Sequence, residues 1–181
     1  MNTNLAIPLL GFLTFLLFTS CIKDTDFDQA YDIALTPEVE LDLIYFNLRA
    51  RDFYDTITSS SILTVRDTTD LRFLDDGEIQ DNLRRAEFFF EFTNTIPRNF
   101  NVDFQFLSEA NDTTYTTQTQ INSGAVGSPV VTEFIENIEG DAIADLTRSF
   151  KVVVSVTIPS SSATLEGELD LKSKTTYYLE F

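Results

Sequence analysis

Two neighbouring segments of the chain alternate between apolar and polar residues with a period of two. The alternation runs through residues 86–92 and returns in residues 100–106. Its apolar positions are Ala86, Phe88, Phe90, Phe92, Phe100, Val102, Phe104 and Phe106. Because successive side chains of a strand point to opposite faces, this pattern predicts two strands that share a buried face. The connection 94–99 contains Pro97, which cannot donate a backbone hydrogen bond, so we expect a turn there and a β-hairpin overall.

Similar alternation predicts strands on both sides of this hairpin. Residues 39–45, 152–158 and 165–171 place an apolar side chain at nearly every second position. Shorter or less regular strands are expected at residues 62–65, 71–74, 113–121 and 175–181, with a polar turn at 66–70. The one predicted helix runs from about residue 141 to 148, because Asp141 can cap it and apolar residues follow at helical spacing.

The predicted strand Thr113–Ile121 differs from the others in composition. It consists of Thr, Gln, Tyr and Ile and contains no charged residue. Such polarity suits a strand at the edge of a sheet. The loop 122–129 that follows contains two glycines and ends in a proline.

About eight strands separated by short turns predict an all-β fold. We expect an antiparallel, Ig-like β-sandwich over residues 37–181, with the short helix crossing one end. A closed barrel is the alternative. The 17 Phe and six Tyr residues favour strands, because aromatic side chains pack well on a pleated surface.

The segment before this domain has a different character. An uncharged apolar stretch, Leu5 to Phe18, is followed by two small residues and by Cys21, the one cysteine of the chain. The stretch has fewer than the roughly 20 residues that a membrane-spanning helix needs. It resembles a bacterial lipoprotein signal peptide, which implies removal of residues 1–20, acylation of Cys21 and anchoring in the outer membrane. The alternative is an ordinary secretory signal cut near Ser20, which leaves Cys21 as a free thiol.

Residues 21–36 are predicted to be an acidic tether. Directly after the cysteine, the run IKDTDFD resembles the short charged signals of Bacteroidota surface lipoproteins, and Lys23, Asp24, Asp26 and Asp28 would carry that signal. A solvated spacer is the alternative, with equal weight.

The domain itself also resembles Bacteroidota lipoproteins and water-stress-type β-sandwich domains. Two runs carry this resemblance, FFFEFTNTIPRNFNVDFQFL and DAIADLTRSFKVVVSV, and it implies a fold but no activity. The location is therefore expected to be the outer membrane, on its periplasmic or its outer surface.

The charge of the chain excludes several classes of function. Its 29 acidic and 12 basic residues all follow Cys21, and the formal net charge is −17. A polyphosphate backbone would be repelled, so nucleic acid is not an expected partner. The sequence has no His and one Cys, which excludes a His-containing catalytic triad, a usual zinc cluster and an internal disulfide.

Carboxylates are the remaining candidates for metal chemistry. Asp75, Asp76, Glu78 and Asp81 cluster around Gly77 in a predicted loop. Hard oxygen ligands of this kind can hold Ca²⁺, and extracellular sites do so at affinities of about 10⁻⁴ to 10⁻³ M. The alternative is a solvated acidic turn, and no other cofactor is predicted.

Three threonines are candidates for modification. Thr56, Thr68 and Thr113 each follow an aspartate and precede a small or apolar residue. These segments resemble the O-glycosylation signal of Bacteroidota, which implies that the three hydroxyls are acceptors. The composition alone yields roughly one or two such matches in a chain so rich in Asp and Thr.

No residue set in the sequence specifies a reaction. We therefore expect a lipid-anchored binding or structural module of the cell envelope that is not an enzyme, with a membrane and an envelope protein or glycan as partners. A carboxylate-dependent, carbohydrate-active hydrolase is the alternative, and a cleft with two converging acids would favour it. A third possibility is an assembly subunit that pairs through an exposed edge strand, and a long uncharged edge at Thr113–Ile121 would favour it.

Overall fold

Strands make up most of residues 34–181, the part of the chain that the computed structural model describes. In chain order they are β1 (Glu38–Asp42), β2 (Phe46–Arg49), β3 (Tyr54–Asp55), β4 (Ser60–Ser61), β5 (Thr64–Asp70), β6 (Leu83–Asn94), β7 (Phe100–Leu107), β8 (Thr113–Ile121), β9 (Val130–Glu139), β10 (Lys151–Thr157) and β11 (Glu168–Leu179). Two short helices, α1 (Gly77–Asn82) and α2 (Ile143–Leu146), join them, with 3-10 turns at Ala50–Phe53, Arg72–Asp75 and Gly140–Ala142.

The strands form two antiparallel sheets. Sheet 1 has the order β1-β11-β6-β9, and β2 pairs with the other half of β11. Sheet 2 has the order β5-β10-β7-β8, and β3 pairs with β4 in a separate ribbon. The all-β antiparallel sandwich is therefore confirmed, with two separate sheets instead of a closed barrel.

The strand order of the two sheets is that of a jelly roll. From β5 onward the chain changes sheet at every connection except the one between β7 and β8, which are neighbours in sheet 2. Immunoglobulin domains instead order their sheets ABED and CFG. An alternating pattern identifies a strand but not its neighbours, so the order follows only from the observed pairing.

The predicted β6–β7 hairpin is wrong in its pairing, although its buried face is correct. β6 pairs with β9 and β11 in sheet 1, whereas β7 pairs with β8 and β10 in sheet 2. All eight predicted apolar side chains are buried, at 0 to 1% exposure. They meet across the core instead of side by side: the rings of Phe90 and Phe104 lie 4.1 Å apart, and those of Phe88 and Phe106 meet edge to face at 5.2 Å.

Asn94 turns the chain from sheet 1 to sheet 2. Its buried side-chain amide donates to the carbonyls of Arg98 (3.0 Å) and Asn122 (2.8 Å), and its oxygen accepts from the Ile96 N–H (2.8 Å). A Cβ atom at Gly124 would lie 1.8 Å from the Asn94 carbonyl oxygen, so a residue without a side chain is required for this close approach. These contacts close the 94–99 connection into a corner between the layers.

Several other elements differ from the prediction. The strand expected at 71–74 is wrong, because residues 72–75 form a 3-10 turn that begins directly after Leu71. A 3-10 helix has three residues per turn, so Leu71 and Leu74 lie on the same side, and both are buried. The turn expected at 66–70 is wrong as well, since those residues continue β5. The helix near 141–148 is confirmed in a shorter form, as a 3-10 turn and α2. Its predicted cap is wrong, because Asp141 lies within the 3-10 turn and neither element has a side-chain cap. Helix α1 and strand β9 were not predicted.

Because Phe90 is fully buried and Phe89 points outward from the same strand, the two residues test the core directly. We expect Phe90→Asp to abolish the cooperative unfolding transition, since burial of an unpaired charge costs several kcal/mol. Phe89→Asp is the matched control and should leave a folded protein with a modestly lower Tm. Calorimetry and circular dichroism check both, and an unchanged Tm in Phe90→Asp would show that this face is not core.

Candidate binding surface at the sheet edges

One of the four outer edges of the two sheets carries no charged residue. The edge of sheet 1 at β1 has three acidic residues, and the edge at β9 has three glutamates. In sheet 2 the β5 edge contains Arg66, Asp67 and Asp70, whereas β8 consists only of Thr, Tyr, Gln and Ile. Charged side chains on an edge strand normally prevent unwanted strand pairing. Within residues 34–181, β8 is thus the edge strand without that protection, and its predicted edge position is confirmed.

The two faces of β8 have different environments. Tyr115, Thr117, Thr119 and Ile121 lie opposite the buried residues of β7 and turn toward the core. On the other face, Thr116, Gln118 and Gln120 are exposed. β8 therefore presents neutral, hydrogen-bonding side chains on its solvent face, while its other face packs toward the core.

The first residues of β8 are already engaged. Thr114 Oγ1 lies 2.6 Å from Ser149 Oγ, and Gln105 Nε2 donates to Thr113 Oγ1 at 2.6 Å. The ladder with β7 shifts register between Phe106 and Leu107, and α2 packs against this end of the strand. The regular ladder therefore covers Tyr115–Ile121, and among the described residues this segment pairs with β7 alone.

A half-buried carboxylate joins the β8 edge to the β9 edge. Glu136 lies opposite Phe88 on the inner side of β9. It accepts hydrogen bonds from the Tyr115 hydroxyl and, at 2.8 Å, from Thr117 Oγ1. Burial first, and then the hydrogen bond to Glu136 and its charge, raise the pKa of Tyr115 to about 12. This cluster holds β8 in place from the core side while its outer edge stays open.

An edge of this kind can bind an extended strand through main-chain hydrogen bonds. The free N–H and C=O groups supply affinity, and the alternating side chains supply specificity. Sequence reasoning found the uncharged strand but not the Glu136 cluster, because the partners are 19 and 21 positions apart and an acidic residue at an inward position interrupts the apolar alternation of β9.

The predicted lipidation site and surface signal lie outside the described residues. This applies to Cys21 and to Lys23, Asp24, Asp26 and Asp28. In residues 34–181, neither helix has the length and apolar character that a membrane crossing requires.

The four acidic residues of the predicted calcium site are not brought together as a ligand set. Asp75 ends a 3-10 turn, and the Asp76 carboxylate caps α1 by accepting from the N–H groups of Glu78 (2.8 Å) and Ile79 (3.4 Å). Glu78 and Asp81 lie within α1. Among the described residues no three acidic side chains lie within reach of one ion.

The three candidate glycosylation threonines are exposed but lie in different settings. Thr56 lies in the turn between β3 and β4, and Thr68 lies on the edge strand β5. Thr113 begins β8 and accepts the hydrogen bond from Gln105 described above. In the turn of Thr56, hydrogen bonds from the Thr58 hydroxyl and then the Ile57 N–H lower the pKa of Asp55.

A wide, open depression of about 860 Å³ lies at one end of the sandwich. Its walls include Asp75, Glu109, Arg148 and Phe150. Both carboxylates are exposed at its rim.

Comparisons with known proteins give only distant structural likenesses for this chain. No protein-family model matches it, and no curated protein does. Among solved structures, it is similar to a protein from Parabacteroides distasonis that its name places among secreted proteins, with 11% identity over 63% of this chain and 38% of that one and a TM-score of 0.45. A structure of infectious bursal disease virus, Gx strain, gives 9% identity over 81% and 32%, with a TM-score of 0.44.

The active domain of tailspike protein 4 of bacteriophage CBA120 gives 10% identity over 82% of this chain and 19% of that one, with a TM-score of 0.39. The chain thus spans less than half the length of each of these structures. Likenesses this distant say nothing about its activity.

The Tyr115–Glu136 contact predicts a specific titration. Because the pKa of Tyr115 is raised from about 10 to about 12 in the folded protein, the stabilisation from its protonated hydroxyl is complete below pH 10 and is lost as the pH rises toward 12. Glu136→Gln should lower the pKa of Tyr115, but not fully to 10, since burial remains. Thr117→Val, which removes the other hydroxyl, is the control and should change the pKa of Tyr115 little. Tyrosine ring-carbon NMR checks this, and an unchanged Tyr115 titration in Glu136→Gln would contradict the contact.

Proposed function

We propose that this chain is a lipid-anchored protein of the bacterial outer membrane whose sandwich acts as a binding module and catalyses no reaction. The observation that carries the binding role is the uncharged β8 edge in an otherwise acidic domain. The anchor rests on the sequence around Cys21, and the binding role rests on the geometry of the sheet edges.

The anchor is supported by the physical chemistry of the N-terminal segment. Each buried methylene of an acyl chain contributes about 0.8 kcal/mol, so two or three chains on Cys21 hold a protein at a membrane essentially permanently. The charges that follow Cys21 are mostly acidic, and they disfavour adsorption to anionic lipid. Retention at the membrane would therefore depend on the acyl chains.

The binding role is supported by the contrast between the four edges. β1, β5 and β9 carry the charged residues that discourage strand addition, and β8 carries none. The Glu136 cluster holds β8 in place from its inner face. Because β8 is preorganised in this way, it would lose little conformational entropy when a partner binds. A protein strand is the partner that such an edge fits best, because the backbone N–H and C=O groups of the two strands can hydrogen-bond to each other. We therefore favour an envelope protein over a glycan.

The hydrolase alternative has less support. It would need two carboxylates about 5 to 10 Å apart that flank a sugar-binding cleft. The depression at the end of the sandwich instead exposes Asp75 and Glu109 at its rim, and Phe150 is the one aromatic residue among its lining residues. We propose no catalytic residue.

The anchor is tested with the native protein from fractionated cells. We expect the N-terminal peptide to begin at Cys21 and to carry the added mass of its acyl chains, and Cys21→Ser to move the protein out of the membrane fraction. Ser20→Ala keeps a small residue before the cysteine, so it should retain the anchor as the matched control. A bare thiol at Cys21, or residues 1–20 still attached, would contradict the proposal.

A further inference from the structure

We infer that the strand bound by the β8 edge is β8 of a second copy of this chain, paired antiparallel about Gln118. The two copies of sheet 2 then join into one eight-stranded sheet. This inference rests on the proposed binding role of β8 and names its partner.

The register follows from the length of the regular ladder. Tyr115–Ile121 is the part of β8 that pairs regularly with β7, and Gln118 is its midpoint. A twofold axis through Gln118 places Tyr115 opposite Ile121 and Thr117 opposite Thr119 of the other copy. Each of these residues faces the core side, so the inner face of one sheet continues into the inner face of the other. Aromatic with β-branched and Thr with Thr are favourable cross-strand pairs.

The outer face of this pairing is equally compatible. Thr116 meets Gln120, and Gln118 meets its own counterpart, so amide and hydroxyl groups face each other along the joint. No charged residue occurs in β8. The strand can therefore pair with itself although each chain carries a net charge of −17.

The same symmetry operation is unfavourable at two other edges. Pairing β1 with itself about its midpoint would place Glu38 opposite Asp42 and Glu40 opposite Glu40. Pairing β5 about its midpoint would place Asp67 opposite Asp67. Like charges directly opposite each other destabilise a strand pair, so symmetric pairing of β8 avoids a penalty that β1 and β5 would incur.

Cysteine crosslinking in cells that produce the full chain tests this register. Across an antiparallel pair, opposite Cβ atoms lie about 5 Å apart, whereas Thr116 and its own counterpart would be about 14 Å apart along the strands. A short thiol crosslinker should therefore shift Gln118→Cys to twice the mass of the chain. Thr116→Cys and Gln120→Cys should each stay monomeric alone and should crosslink when the two variants are produced together.

Two controls accompany these variants. The unaltered chain reports any crosslinking through Cys21, and Thr68→Cys reports random collision from the opposite edge of sheet 2. Neither should give a dimer. The fold of each variant is checked by its Tm.

The other outcomes separate this inference from the proposed function. Crosslinks from all three β8 positions to a different protein would overturn self-pairing and leave β8 as a binding edge. No crosslink from any of the three positions, in folded variants, would overturn both self-pairing and the proposed role of the edge. A Gln118→Cys dimer without the mixed 116–120 dimer would overturn the register and therefore the inference.

Discussion

The packing of phenylalanine rings between the two sheets is the contact on which the rest of this structure depends. Each inward position of β6 from 88 to 92 is a Phe, and the facing strand β7 supplies three more. Phe90 and Phe104 meet at 4.1 Å, and Phe134 of β9 stacks on both of them at 6.0 Å. Burial of each ring stabilises the fold by a few kcal/mol at about 25 cal/mol per Å². The same contacts fix which face of every neighbouring strand points inward.

A sandwich held together in this way necessarily ends in edges. Two separate sheets leave four outer strands, and each exposes backbone groups that can pair with another chain. Acidic and basic residues protect three of these strands. β8 is different because its inner side is tied to β9 through Glu136 while its outer side is neutral. Core packing therefore holds in place the edge strand that carries no charged residue and can pair with a partner.

The sequence predicted the elements better than their arrangement. Period-two alternation located β6, β7 and β10, because their inward side chains are nearly all apolar. It could not show that β6 and β7 lie in opposite sheets, since that depends on the hydrogen bonds of Asn94 and on the close approach of Gly124. β9 was missed because Glu136 occupies an inward position, where its charge is accommodated by two hydroxyls from β8.

For the candidate site as well, the sequence predicted the strand better than its surroundings. The uncharged composition of Thr113–Ile121 is visible in the sequence, and the edge position that it predicted is confirmed. That this edge is neutral and the other three are charged could be recognised only once the strand order was known. Asp75, Asp76, Glu78 and Asp81 are close in sequence, but Asp75 ends a 3-10 turn, Asp76 caps α1, and the other two lie within α1. Proximity in sequence therefore did not bring these four carboxylates together as one ligand set.

Hydrogen exchange of the β8 amides in the purified full-length chain, followed from dilute to concentrated solution, shows whether this edge is open and pairs with a second copy. We expect the amides of Tyr115–Ile121 that point away from β7 to exchange rapidly in dilute solution and to slow as copies pair, while the edge amides of β5 do not change. If the β8 amides were as protected in dilute solution as those of β7, or if their exchange did not depend on concentration, the claim of an open, self-pairing edge would be contradicted.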